Sequence, residues 1–182
     1  MTLETRIAAL EAREEIRNLV ARYCFVIDDR DIDGIAALMA PDAVFRSADG
    51  VMNARGRDAI IDQFHGRFAV LGMTNHFTHN HVINIDGADH GHGLVNSHAE
   101  LYRNGRPMIV ALRYQDRYVR HDGAWLFAER LLSFGYYLDV ADYEALLGAP
   151  LRMRAYAQPQ AADWPEATPS YQAYCPPPSA RD

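Results

Sequence analysis

Any acid–base chemistry in this chain runs through histidine, carboxylate or tyrosine, because its 182 residues include 18 arginines, eight histidines and no lysine. Schiff-base catalysis, cofactor anchorage on an amine, the P-loop lysine and the Ser-Lys dyad are all excluded. Arginine, always charged, is left to clamp or polarise. The densest run of titratable groups is His76-Phe77-Thr78-His79-Asn80-His81. Strand alternation puts His76, Thr78, Asn80 and Val82 on one face of it, and Phe77, His79, His81 and Ile83 on the other. Asp28 lies where an amphipathic N-terminal segment ends, with Tyr23 slightly more than one helical turn earlier. If that helix crosses the concave side of a sheet, Asp28 and His76 meet. A carboxylate bonded to an imidazole fixes its tautomer and stabilises its protonated form, which makes a general base near neutral pH. Tyr23 would then polarise a substrate oxygen. Spacing alone also allows the plainer reading, a capping aspartate and a structural histidine.

A metal site is the competing use of these histidines. His79-x-His81 is a common ligand spacing, and His90 and His92 are close in sequence. His76 points the opposite way, however, and no third ligand is identified, so no metal is expected.

The elements that would position these groups are legible in the apolar spacing. Leu3, Ile7, Leu10, Ile16, Leu19, Val20, Tyr23 and Ile27 recur at threes and fours and predict a long helix. Ile32, Ile35, Leu38 and Met39 predict a short second helix ended by Pro41, and an extended pair spans residues 43–54. Gly56 and Asp58 open a third helix carrying Ile60, Ile61, Phe64, Phe68 and Leu71. Then Asp86-Gly87, Asn104-Gly105 and Asp122-Gly123 each signal a two-residue hairpin. They delimit four long alternating strands, an antiparallel meander. The fold class expected is α+β, a curved antiparallel sheet wrapped around the long N-terminal helix. Residues 1–138 are read as this domain. Residues 139–182 are read as an extended, Pro- and Ala-rich C-terminal arm whose Trp164, Tyr171 and Tyr174 pack on the domain or a neighbouring subunit.

Composition narrows the partners. A net charge of −6 argues against a polyanion-binding surface, so nucleic acid is not expected. Two cysteines, Cys24 and Cys175, do not make a disulfide framework. The opening MTLETRIAALEAREEIRN has no apolar signal stretch and no segment suits a membrane span, which predicts a cytoplasmic protein.

Arg17 to Tyr23 with Asp28, Asp42-Ala43-Val44-Phe45, Gly56 to Phe64, His76 to Asn80, Tyr114-Gln115-Asp116-Arg117, and Asp122-Gly123-Ala124-Trp125 through Arg130 together resemble the SnoaL-like branch of the nuclear transport factor 2 superfamily. The resemblance spans about residues 10 to 137. Within that branch it is nearest to the group containing scytalone dehydratase, bile-acid 7α-dehydratase and hexachlorocyclohexane dehydrochlorinase. It implies a cone-shaped α+β barrel, commonly trimeric, and cofactor-free elimination by an Asp-His pair aligned with Asp28 and His76. Tyr23 matches a tyrosine five residues before the aspartate. The second acid-base group is open between His98, on a later strand, and Arg130, where the dehydrochlorinase has an arginine suited to a leaving anion. An ion-paired strand residue is the equal alternative for Arg130.

The function expected is therefore a cofactor-independent lyase of the dehydratase type acting on an apolar cyclic, polyketide- or steroid-like molecule. His76, Asp28, Tyr23, His98 and Arg130 are its candidate catalytic residues. Asn80, Phe64, Phe68 and Tyr114 are candidates for substrate contact, and a dimer or trimer of identical chains is expected. Isomerisation or cyclisation from the same proton abstraction remains open, as does a non-catalytic subunit such as a ring-hydroxylating dioxygenase β subunit. An epoxide-hydrolase reading is weaker, since the one Arg-x-Asp, Arg120-His121-Asp122, falls in a turn. A ketosteroid-isomerase reading is weaker too, because it wants an aspartate in the sheet where histidine stands.

Overall fold

The computed structural model describes residues 2–175. Helix α1 runs Leu3–Asp28, and its N-cap Thr2 accepts a hydrogen bond from the Thr5 N–H. Ala12, Ile16, Leu19, Val20, Tyr23, Cys24 and Ile27 form its buried stripe. Leu3, Ile7 and Leu10 continue the same period yet are exposed, at 65%, 46% and 65%. Each fully buried aliphatic side chain on the inner stripe, such as Ile16, contributes about 1.5–3 kcal/mol.

The chain reverses after α1 through Arg30, a non-glycine residue at φ 57°. Its guanidinium donates to the carbonyls of Leu71, at 2.7 Å, and Gly72 and sits over the Phe68 ring at 4.6 Å. That clasp ties the end of α1 to the start of a strand, which sets where Asp28 lies. Helix α2 follows over Ile32–Leu38, its N-cap Asp31 accepting from the Gly34 N–H at 2.8 Å. Strands β1 (Met39–Ser47) and β2 (Asn53–Arg55) lead to α3 (Arg57–Phe68). The long strands are β3 (Leu71–Ile85), β4 (His90–Arg103), β5 (Arg106–His121) and β6 (Ala124–Asp139).

All six strands form one curved, unclosed sheet in the order β2-β1-β6-β5-β4-β3. The meander β3 to β6 is antiparallel, but β1 pairs with β6 in parallel, so the sheet is mixed rather than wholly antiparallel. The β4–β5 and β5–β6 loops have positive φ at both central residues, Asn104 and Gly105, Asp122 and Gly123, as a type I′ turn requires. Asp86-Gly87 instead opens a four-residue loop, closed by Asp86 N–H donating to the His90 carbonyl at 2.9 Å. α1 packs across β3 and touches β6, closing the concave side.

Beyond β6 come a 3-10 turn (Val140–Asp142) and α4 (Tyr143–Leu146), after which the chain doubles back. Met153 bridges Tyr137, so the returning segment pairs with the end of β6 that β1 leaves bare. Phe134 N–H donates to Asp163 at 2.7 Å, and Asp163 N–H donates to the Phe134 carbonyl at 2.8 Å. Arg152, buried, grips Glu166 with both terminal nitrogens at 2.6 and 2.7 Å. Trp164 lies under the Arg113 guanidinium at 4.1 Å and fills the space a Cβ on Gly135 would need. The arm thus packs on its own domain through Glu166, whereas α5 (Pro169–Tyr174) buries no residue and Tyr174 is 89% exposed, so Tyr174 does not pack on its own domain as Trp164 does; the arm's expected continuation through residues 176–182 lies outside the described residues. Among the described residues no helix is long and apolar enough to cross a membrane, and Cys24 and Cys175 are both free thiols.

Candidate functional site

Asp28 closes α1 directly beside the inner face of β3. One oxygen, Oδ1, lies 2.6 Å from His76 Nδ1 and 2.7 Å from the Thr74 hydroxyl that donates to it; Oδ2 accepts the His76 main-chain N–H at 2.8 Å. The two side chains are only 7% and 19% exposed, His76 the less. Burial pushes the Asp28 pKa up, but the bonds from the His76 ring, the His76 main chain and the Thr74 hydroxyl outweigh it and hold Asp28 below its ordinary value. An ionised Asp28 only accepts, so Nδ1 of a neutral His76 carries the proton and Nε2 presents its lone pair.

His76 lines a cavity of about 140 Å³. β4 and β5 contribute Ala99, Leu101, Val110 and Leu112 to it, and the returning tail contributes Met153, Ala155 and Tyr156. The remaining polar groups are Arg67 of α3, Arg103 at the end of β4, and Tyr137 of β6. Burial raises the Tyr137 pKa against the opposing charge of Arg103, and both burial and a bond to Asp49 raise that of Tyr156. Both phenols are therefore neutral donors at physiological pH. The arrangement offers one imidazole base, the Tyr137 phenol as a donor and two guanidiniums around an apolar floor, the Tyr156 proton being given to Asp49 at 2.8 Å. Among the described residues no group of three or more His, Cys, Asp or Glu converges as a metal site would require.

The other sequence-predicted residues stand elsewhere. His98 pairs with Phe77, one step out of phase with the His76–Ala99 pair, so its ring lies on the outer face, stacked 6.0 Å from Phe77. It and His76 are therefore on opposite faces of the sheet. Arg130 is wholly buried and bidentate to Asp116, at 2.9 and 2.7 Å, with Tyr23, Tyr114 and Phe127 around its guanidinium at 4.1–4.2 Å. Burial alone would lower its pKa, but Asp116 outweighs that and raises it. Arg130 is thus the ion-paired strand residue, already committed to a carboxylate. Tyr23, 2% exposed, belongs to the same aromatic cluster and is not among the residues lining the cavity. Tyr114 and Phe64 are core residues, and Phe68 packs between Phe64 and Arg30; none of the three lines the cavity.

Asn80 is displaced by a bulge. The β3–β4 register shifts by one residue between Thr78 and His81, which leaves His79 and Asn80 exposed and turns His81 inward, opposite buried Val95. His79 and His81 therefore do not share a face. His81 Nε2 is 3.1 Å from the Tyr118 hydroxyl, which donates to Asp116 at 3.0 Å. Sequence reasoning missed this His81–Tyr118–Asp116–Arg130 chain because strict alternation hides a bulge. It missed Arg67, Arg103, Tyr137 and Tyr156 because no local pattern marks residues that meet only through the sheet and the returning tail.

Comparison with known proteins matches the SnoaL-like domain over residues 8–131. The chain belongs to this family, within the nuclear transport factor 2-like fold. A comparison with curated proteins gave no match. Among solved structures, the chain is similar to hexachlorocyclohexane dehydrochlorinase LinA-type3 from Novosphingobium barchaimii LL02, with 20% identity and TM-score 0.68, over 75% of this chain and 94% of that one. It is likewise similar to a protein of Novosphingobium aromaticivorans DSM 12444 provisionally named a scytalone dehydratase, with 23% identity and TM-score 0.69, over 74% and 91%. A Mycobacterium tuberculosis protein of unknown function aligns at 27% identity and TM-score 0.64, over 82% of each chain.

Proposed function

We propose that this protein is a lyase in which His76 Nε2 removes a proton from carbon and a leaving group departs from the adjacent carbon. The observation that carries the reading is the Asp28–His76 pair, bonded at 2.6 Å and facing a small, largely apolar cavity. The C–H electron pair becomes the new π bond, the bond to the leaving group breaks with its electrons, and the proton rests on an imidazolium stabilised by Asp28. When hydroxide leaves, His76 can return that proton to it, so water is the product and one histidine serves both halves. No cofactor is required by this sequence of events. Tyr137, whose phenol proton is uncommitted among the described residues, takes the role first given to Tyr23 of holding a substrate oxygen, while Tyr156 already donates to Asp49. Structural neighbours named as a dehydratase and a dehydrochlorinase support elimination over other uses of the base.

At about 140 Å³ the cavity is close in size to one that holds benzene, which favours a single-ring reacting portion over a whole steroid. The test is solvent exchange. In D₂O, candidate β-hydroxy and β-halo carbonyl compounds are followed by NMR with the wild-type protein and with His76→Ala. Alkene formation that His76→Ala abolishes supports the lyase; exchange or double-bond migration without loss of a group makes the protein an isomerase. Unchanged turnover in His76→Ala would sink the mechanism.

A further inference from the structure

Two guanidiniums in the cavity have no anion to hold. Arg67 and Arg103 make no ion pair with a carboxylate among the described residues, whereas Arg46, Arg130 and Arg152 each have one. Arg103 Nε is buried without a hydrogen-bond partner. Among the described residues Arg67 donates only to the Met52 sulfur, at 3.2 Å, a weak acceptor. Both lean on aromatic rings, Arg67 on Phe64 at 5.5 Å and Arg103 on Tyr137 at 5.7 Å. Asp49, which Tyr156 reaches at 2.8 Å, is already taken up by that phenol, by the Ser47 hydroxyl and by the Val51 N–H. Two half-buried cations bearing on one apolar cavity, in a chain of net charge −6, incur desolvation that ring contacts compensate weakly. A planar anion with two oxygens would supply what is missing, since guanidinium donors match a carboxylate in pairs.

We infer that the substrate is a small carboxylic acid, its carboxylate held by Arg67 and Arg103 and its ring or short branched body lying on the apolar floor within reach of His76. This rests on the lyase reading for what happens next, but the binding claim is separable from it. Arg67 and Arg103 come from α3 and the end of β4, outside the Asp-His pair and outside the Arg130 cluster. The cavity therefore distinguishes an acid from a neutral molecule of the same shape. The inferred molecule keeps the expected apolar body and adds a charged handle.

The experiment is calorimetric titration of the purified protein with benzoate and cyclohexanecarboxylate, against benzamide and cyclohexanecarboxamide as neutral isosteres. The acids are expected to bind at least about tenfold more tightly than the amides, as charge-assisted bonds would provide. Arg67→Met and Arg103→Met are each expected to remove most of that preference without changing amide binding, and His76→Ala to leave it within about twofold. Equal binding of acid and amide, no binding of either, or a preference that survives the double substitution would overturn the inference. If a variant fails to fold, the wild-type acid-to-amide ratio and its decline with added salt still decide. Arginine-dependent acid binding with no His76-dependent exchange would leave the inference standing and the lyase reading fallen. Elimination from a neutral substrate untouched by Arg103→Met would do the reverse.

Discussion

His76 gives Asp28 two N–H groups at once, its ring nitrogen to one carboxylate oxygen and its main-chain nitrogen to the other. The second bond fixes the carboxylate plane from the strand itself, so the imidazole is oriented by backbone as well as by side chain. Asp28→Asn keeps the shape but removes the charge that stabilises the imidazolium. It is expected to lower kcat by about 10²- to 10⁴-fold with little change in KM, measured by steady-state kinetics on a substrate found by His76-dependent exchange. A loss confined to KM would mean that Asp28 acts in binding.

Arg130 is expected to answer as a structural residue. Arg130→Met leaves Asp116 buried and unpaired and should cost about 3–5 kcal/mol in denaturant unfolding. Pairing it with Asp116→Leu should restore much of that stability and leave His76-dependent turnover intact. A double variant that is stable but inactive would return Arg130 to the reaction.

Acid stability should fall in two separable steps. Burial lowers the His81 pKa to about 4 from an ordinary value of 6.5, the charges of Asp116 and Arg130 acting in opposite senses. The unfolded chain therefore takes up a proton that the folded chain refuses between those values, and stability declines as pH falls from about 6.5 to about 4. Asp28, held below its ordinary 3.8, adds a loss only at lower pH, as pH falls through its folded value. Calorimetric Tm against pH for wild type and His81→Gln should show the first slope flattened in the variant; identical slopes would exclude His81 as its source.

The tail is expected to control access. Gly135→Ala would set a methyl within 2.5 Å of the Trp164 ring and displace it, and Arg152→Ala would release Glu166 together with the Trp164 carbonyl. Both variants should become susceptible to proteolysis within residues 150–168 before the sheet unfolds, and both should bind the test acids more weakly, since Met153, Ala155 and Tyr156 form part of the cavity wall. Unaltered cleavage and unaltered binding would show that the arm is not a wall of the site.

The meander and the long helix were legible because they depend on local signals: period in α1, Asn-Gly and Asp-Gly turns, alternation in β4 to β6. The parallel β1–β6 pairing was not, since nothing local distinguishes a strand that will pair beside a neighbour some 80 residues away. Asp28 and His76 were found through residue type joined to resemblance. His98 was misplaced because one residue of register decides its face, and Asn80 because a bulge overrides alternation. The arginines and tyrosines of the cavity were invisible for a physical reason: their shared property is a place in space that the returning tail completes.

The bulge at His79 and Asn80 has a further consequence for how this strand tolerates change. It divides β3 into two stretches with opposite parity, so one length of chain supplies His76 to the cavity and His81 to the Arg130 chain. Removing that extra residue would erase the bulge and restore plain alternation, with His76, His81 and Ile83 all still turned inward. Reactivity and robustness are thus separate inheritances within one strand, divided by a single extra residue.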